Sequence, residues 1–121
     1  MLIRSQDKEA LINFNNSIVV NTMVDIGGVT KMFCSYSCDD YVIGHYSSKE
    51  KAMKVLDMIQ EAYMEYKSGE IVGNGLASSA YTGSYNTKES VAHGIAVLKG
   101  YGNEIRKSIL FQMPEDSEVE V

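Results

Sequence analysis

The side chains with chemistry to offer gather in the second half of the chain. Tyr81, Tyr85 and Tyr101 sit in glycine-rich stretches, where an aromatic ring can stack on a base; such stacking contributes about 1–3 kcal/mol per base. Asn86 and Asn103 carry amides suited to a base edge. Arg106 and Lys107 follow directly and suit a phosphate, the arginine in bidentate fashion. Together these types fit a small phosphorylated nucleotide. A plainer explanation stands beside that one: tyrosines in Gly/Ser loops also pack on neighbouring subunits. Sequence alone leaves the two level. A second electropositive end is the start of a helix carrying Lys49, Lys51 and Lys54, where free amides and the helix dipole favour anions.

A catalytic set is harder to find. His45-Tyr46-Ser47 matches half of the paired His-x-Ser/Thr signature of two-histidine phosphoesterases, but His93 is followed by Gly94-Ile95. His45 is then a packing residue at a strand end. Cys34 and Cys38, both facing one side if their segment is a strand, have no second ligand pair and are expected to be reduced packing residues. Asp57, Glu61 and Glu65 belong to a solvated helix face. Gly73-Asn74-Gly75 is too short for a phosphate loop and lacks its Gly-Lys-Ser/Thr ending. The expectation is a non-enzyme with no cofactor and no metal.

These side chains are positioned by an α+β plan. Leu2–Arg4, Ala10–Phe14, Ser17–Val24, Val29–Ser37 and Tyr41–Tyr46 read as five strands of an antiparallel meander, with Asp25-Ile26-Gly27-Gly28 closing a hairpin. Ser47 and Glu50 form a capping box for one long amphipathic helix. Its apolar face is Ala52, Val55, Leu56, Ile59, Ala62, Tyr63 and Tyr66, and Gly69 is the expected stop. Glu70–Asn86 reads as a long Gly/Ser/Ala loop, a length more typical of binding loops than of connectors. Thr87 can cap a shorter second helix, broken at Gly100-Tyr101-Gly102, and Ile105–Met113 reads as a sixth strand. Pro114 ends it, and a flexible acidic tail follows at 114–121. The whole is one domain, residues 1–121.

Charge narrows the partners. With 11 basic and 16 acidic residues the net charge is −5, so the attraction that DNA or RNA polymers require is missing. No run of about 18 apolar residues is present, and Met1–Asp7 lacks a secretion signal's apolar core. A cytoplasmic protein is expected, without membrane or DNA as partner.

Several stretches together carry a resemblance: Ile3-Arg4-Ser5-Gln6-Asp7-Lys8 with Leu11-Ile12-Asn13 close behind, Tyr41-x-x-Gly44-x-Tyr46-Ser47 leading into Lys51–Gln60, and the closing Phe111-Gln112-Met113-Pro114-Glu115-Asp116. The pattern resembles small proteins of phages and mobile elements of Gram-positive bacteria. Among these it is similar to the first-described Thoeris anti-defence family, phage sponges that trap cyclic ADP-ribose isomers made by TIR-domain immune proteins. The resemblance implies sequestration without chemistry in the cytoplasm of the bacterial host. It implies a nucleotide enclosed at a dimer interface, with Arg106 ahead of the last strand and Tyr81 or Tyr85 stacking on adenine. Some members assemble further and bind cyclic oligonucleotides. Two other readings stay open: a phosphodiesterase cleaving the same signal with His45 or His93 as base, and a protein-binding regulator whose tyrosine loops form an interface.

Overall fold

The structure, a computed structural model, describes residues 1–16, 19–82 and 88–121. Side chains are described throughout these except at 16, 73–82, 88–94, 97–98 and 104–105. The fold is α+β. Six strands form two three-stranded sheets, so the expected single meander is divided. In one sheet β1 (Leu2–Arg4) lies between antiparallel β2 (Leu11–Asn13) and parallel β6 (Leu110–Gln112). The other is a true meander of β3 (Val19–Val24), β4 (Thr30–Tyr36) and β5 (Asp39–Tyr46).

The β3–β4 hairpin has a local cause. Asp25 Oδ1 accepts the amides of Gly27 at 2.9 Å and Val29 at 3.1 Å, and Gly28 supplies the positive φ of 82° that closes the turn. At the β4–β5 bulge Ile43 is the extra residue, so Ile43 and Gly44 are both buried while His45 faces solvent. Gln6 closes the free edge of β5. Its amide donates to the Ile43 carbonyl at 2.8 Å, and its side-chain oxygen accepts from the His45 amide at 2.8 Å.

Helix α1 (Lys49–Thr82) lays its first half on β3–β4–β5. Ala52, Val55 and Ile59 meet Ile3, Met32, Cys34, Ile43, Tyr46 and Met113 in the core. At its edge Phe14 and Tyr63 pack edge to face, centroids 5.2 Å apart. The cap is Ser48 rather than Ser47: Ser48 Oγ accepts the Lys51 amide at 3.2 Å, as an N-cap does to the third helical residue. Ser47 is drawn instead to Asp116, which accepts its amide at 2.7 Å and its hydroxyl at 2.9 Å.

That contact belongs to a second departure, since the acidic tail packs against the body. Pro114 and Val119 are buried, and Asp116–Glu118 make a turn of 3-10 helix closed by reciprocal bonds between Glu115 and Glu118. Lys51 bridges Asp116 at 3.1 Å, and Lys54 donates to the Glu120 carbonyl. The lysines read as an anion site at the helix start therefore serve the chain's own carboxylates and carbonyls in two cases of three.

The largest departure is the Gly/Ser/Ala segment. α1 does not stop at Gly69 but continues to Thr82, a rod of 34 residues, about 50 Å at 1.5 Å per residue. Helix α2 (Lys88–Ile109) runs through Gly100-Tyr101-Gly102 and overruns the expected last strand as far as Ile109. The two pair as a helical hairpin, with Tyr101 against Gly69: a Cβ there would lie 3.8 Å from the tyrosine oxygen. Small residues let the helices approach closely, which offsets their low helical propensity. The second half of α1 and most of α2 thus form an arm extending from the sheets.

Candidate functional site

The predicted site falls on this arm. Tyr85 and Asn86 lie outside the described residues. Of Tyr81 the structure describes only its place in the last turn of α1. Tyr101, Asn103, Arg106 and Lys107 are all in α2, on helix rather than in the loop expected of them.

Helical geometry then sorts these four. At 100° per residue Asn103, Arg106 and Lys107 share an arc of about 100°, being three and four positions apart, while Tyr101 falls on the opposite arc. Exposure agrees: Asn103, Arg106 and Lys107 are exposed, and Tyr101 is half-buried facing α1. Tyr101 is thus a packing residue of the hairpin, not a ring free to stack on a base. Its hydroxyl is buried with no hydrogen-bond partner among the described residues. The helical placement that removes Tyr101 from the site brings one amide and two cations together on a single exposed face where α2 meets β6.

Two of the three side chains on that face are cationic, in a chain of net charge −5. Arg106 and Lys107 also occupy the last turn of α2, where cations complement the negative end of the helix dipole. A guanidinium and an ammonium on adjacent residues suit a diphosphate: the arginine as a planar fork, the lysine as a mobile point charge. The neighbouring Asn103 adds both a donor and an acceptor.

The concave surfaces of the body lie elsewhere. A cleft of about 370 Å³ opens between β2 and the end of β4–β5, floored by Cys34 and walled by Leu11, Tyr36 and Tyr41. A groove of about 450 Å³ runs between α1 and β3, lined by Phe14, Val20, Leu56 and Tyr63. Both are largely apolar, and neither contains a residue of the predicted nucleotide site. A third, open concavity of about 650 Å³ at the start of α1 is lined by Lys49, Glu50, Met53, Lys54 and Asp57. Two of the lysines read as an anion site thus lie there beside two carboxylates. Alternating exposure along β4 and β5 is the signal that would have found the first; the half-exposed Tyr36 and Tyr41 are missed because both sit beside a turn.

The remaining candidates do not join a site. His45 is exposed on β5, so its side chain is not the packing residue expected, and only its backbone is held, by Gln6. Cys34 is buried and Cys38 exposed in the β4–β5 turn, so the two thiols do not share a strand face as expected. Among the described residues no His/Cys/Asp/Glu group is placed to hold a metal ion, and no helix is long and apolar enough to cross a membrane.

Two carboxylates and one tyrosine have displaced acidities. The Ser47 amide, above all, with Lys51 and the Ser47 hydroxyl, holds the Asp116 carboxyl below its ordinary value. The Ser5 hydroxyl and then the Glu9 amide do the same for Asp7. Burial, with Glu115, Asp116 and Glu118 nearby, pushes the Tyr46 phenol well up. All three belong to the body, and none lies on the Asn103–Arg106–Lys107 face.

Compared with family models, curated proteins and solved structures, the chain gives no match.

Proposed function

We propose that the chain binds and sequesters a cyclic ADP-ribose-type nucleotide without cleaving it, and so blocks TIR-dependent (Thoeris) immunity in the cytoplasm of a bacterial host. The observation that carries this reading is the exposed cluster of Asn103, Arg106 and Lys107 on one face of α2. It sets a guanidinium able to grip a diphosphate in bidentate fashion next to the Lys107 ammonium and an amide that can meet a base or ribose hydroxyl. The resemblance of the chain's two ends and first helix to phage sponges supplies the ligand class. The arm supplies a reason for a homo-oligomer. It consists of two helices, and Ile71, Val72 and Ile95 on it are 71%, 52% and 49% exposed. A second copy's arm would cover them and enclose the ligand between subunits.

Sequestration needs tight binding with slow release, since affinity differences in such systems lie mostly in the off-rate. Isothermal titration with a cyclic ADP-ribose isomer tests the binding, and chromatography of the ligand recovered after heating the complex tests the absence of chemistry. The expected result is saturable heat and an unchanged nucleotide. No heat, or a cleaved product, overturns the proposal.

A further inference from the structure

The β3–β4–β5 sheet has two faces, and the described elements cover only one. Thr30, Met32, Cys34 and Tyr46 point inward beneath α1 and the β2–β1–β6 sheet. Strand alternation and the register place Lys31, Phe33 and Ser35 of β4 on the other side. There the strands present three rows. Lys31 lies beside His45 at one end, Phe33 beside Val42 in the middle, and Asp40 is at the far end beside Ser35. On the β3 side Met23 and Val19 flank the end rows, 59% and 46% exposed, and Val42 is 41% exposed. The face therefore has a middle row of exposed Asn21 with Phe33 and Val42, a basic end, and an acidic end where Asp40 accepts a hydrogen bond from the Ser35 hydroxyl at 2.6 Å.

We infer that this face is a self-association surface, on which a second copy packs sheet against sheet about a two-fold axis running across the strands. That rotation lays the Lys31–His45 row of each copy over the Asp40 row of the other and sets Phe33 and Val42 against themselves. A two-fold axis along the strands would instead set Lys31 against Lys31, a like-charge contact. Stacked sheets lie about 10 Å apart with strands about 30° off parallel, which leaves a lysine in one row within reach of an aspartate in the other. The same rotation explains Ile26. It sits fully exposed at the β3–β4 hairpin tip, just past the Lys31 row, and comes to lie over the turn at Ser37 and Cys38 in the second copy. The contact is isologous, so every pair occurs twice.

Three strands and five residues along each give a footprint of roughly 240 Å² per copy at ~4.8 Å and ~3.3 Å spacings. A standard interface buries about 800 Å² per partner. The contact is therefore weak and concentration-dependent by itself. It becomes strong only between copies already joined elsewhere. It requires neither the nucleotide nor the arm.

Zero-length carbodiimide cross-linking of mixed ¹⁴N- and ¹⁵N-labelled full-length chains tests it. Lys31 and Asp40 lie about 13 Å apart along the strands of one copy, too far for such a link within a chain. The expected product is a Lys31–Asp40 link joining light and heavy peptides, increasing with protein concentration. In sedimentation velocity Asp40→Lys weakens self-association by roughly tenfold or more, and Lys31→Glu added to it restores association to within about threefold. Absence of the mixed link, mixed links that avoid both residues, or a double variant no better than the single one each overturns the inference.

Discussion

Two tyrosines show how differently the body and the arm are built. Tyr46 is fully buried, and its hydroxyl donates to the Pro114 carbonyl at 3.0 Å, joining β5 to the tail. Tyr101 is half-buried between α1 and α2, and its hydroxyl is shut away without a partner among the described residues. In the body, the side chains of Gln6 and Asp25 each satisfy two or more backbone groups, and Asp116 holds the Ser47 amide together with the Ser47 hydroxyl and Lys51. The arm has two helices, glycines at 69, 100 and 102, and apolar side chains left in solvent. The difference teaches that the body closes its core with side-chain bonds between residues distant in sequence, whereas the described arm rests on helix-to-helix packing. Exposed apolar side chains and a buried hydroxyl without a partner among the described residues (Thr30 in the body, Tyr101 in the arm) occur in both. In the proposed reading a second arm and a nucleotide cover the apolar side chains of the arm.

Breaking the body should cost most. Tyr46→Ala removes the core's largest fully buried side chain and is expected to destabilise by about 3–5 kcal/mol, measured by chemical denaturation. Gly44→Ala comes next. Its Cβ would lie 3.0 Å from Tyr46 Cε2 and 3.3 Å from Met113 Cε, a crowding expected to cost about 1–3 kcal/mol. Tyr46→Phe should cost about 1 kcal/mol, because the Pro114 carbonyl keeps its bond from Gln6.

The same change in the arm has the opposite sign. Tyr101→Phe removes an unpaired buried hydroxyl, so it should be neutral or stabilising by up to about 1 kcal/mol. Gly100→Ala and Gly102→Ala meet open space and should each add about 0.5–1 kcal/mol to the helix, seen as raised helicity. A Tyr101→Phe variant as damaging as Tyr46→Phe would erase the contrast between the regions.

The smallest expected effect is the pH response of the tail. Asp116 has a folded-state acidity held below the ordinary 3.8. Its contribution is therefore present above that value and is lost as pH falls through the lower folded-state value. Proteolysis of the segment after Pro114 should accelerate only in strong acid, and Asp116→Asn should remove the dependence.

Much of the body is legible in sequence because local and global preferences agree there. The Asp25-Gly27-Gly28 turn, the β-branched strands and the apolar spacing of Ala52, Val55 and Ile59 all point to one answer. The arm is not legible by the same rules. Gly69, Gly73, Gly75 and Ser78-Ser79 favour a loop on propensity, whereas contact with a second helix, seen where Tyr101 meets Gly69, decides for helix. A pairing distant in sequence also moves the helix cap. Asp116, 69 residues away, takes Ser47, so Ser48 becomes the N-cap. Of the site, Arg106 and Lys107 are legible as cations near the last strand. Tyr101 is misread, because a tyrosine between glycines looks like a loop until α2 is seen to run through it.

Hydrogen exchange of the full-length chain with and without a cyclic ADP-ribose isomer tests the central claim most directly. The account predicts added protection in the Lys99–Ser108 part of α2, lost in Arg106→Ala, whose melting temperature should match the parent because Arg106 is exposed. The β3–β4–β5 sheet should be unchanged. Protection that is unchanged throughout, or that appears only around Leu11, Tyr36 and Tyr41, would contradict it.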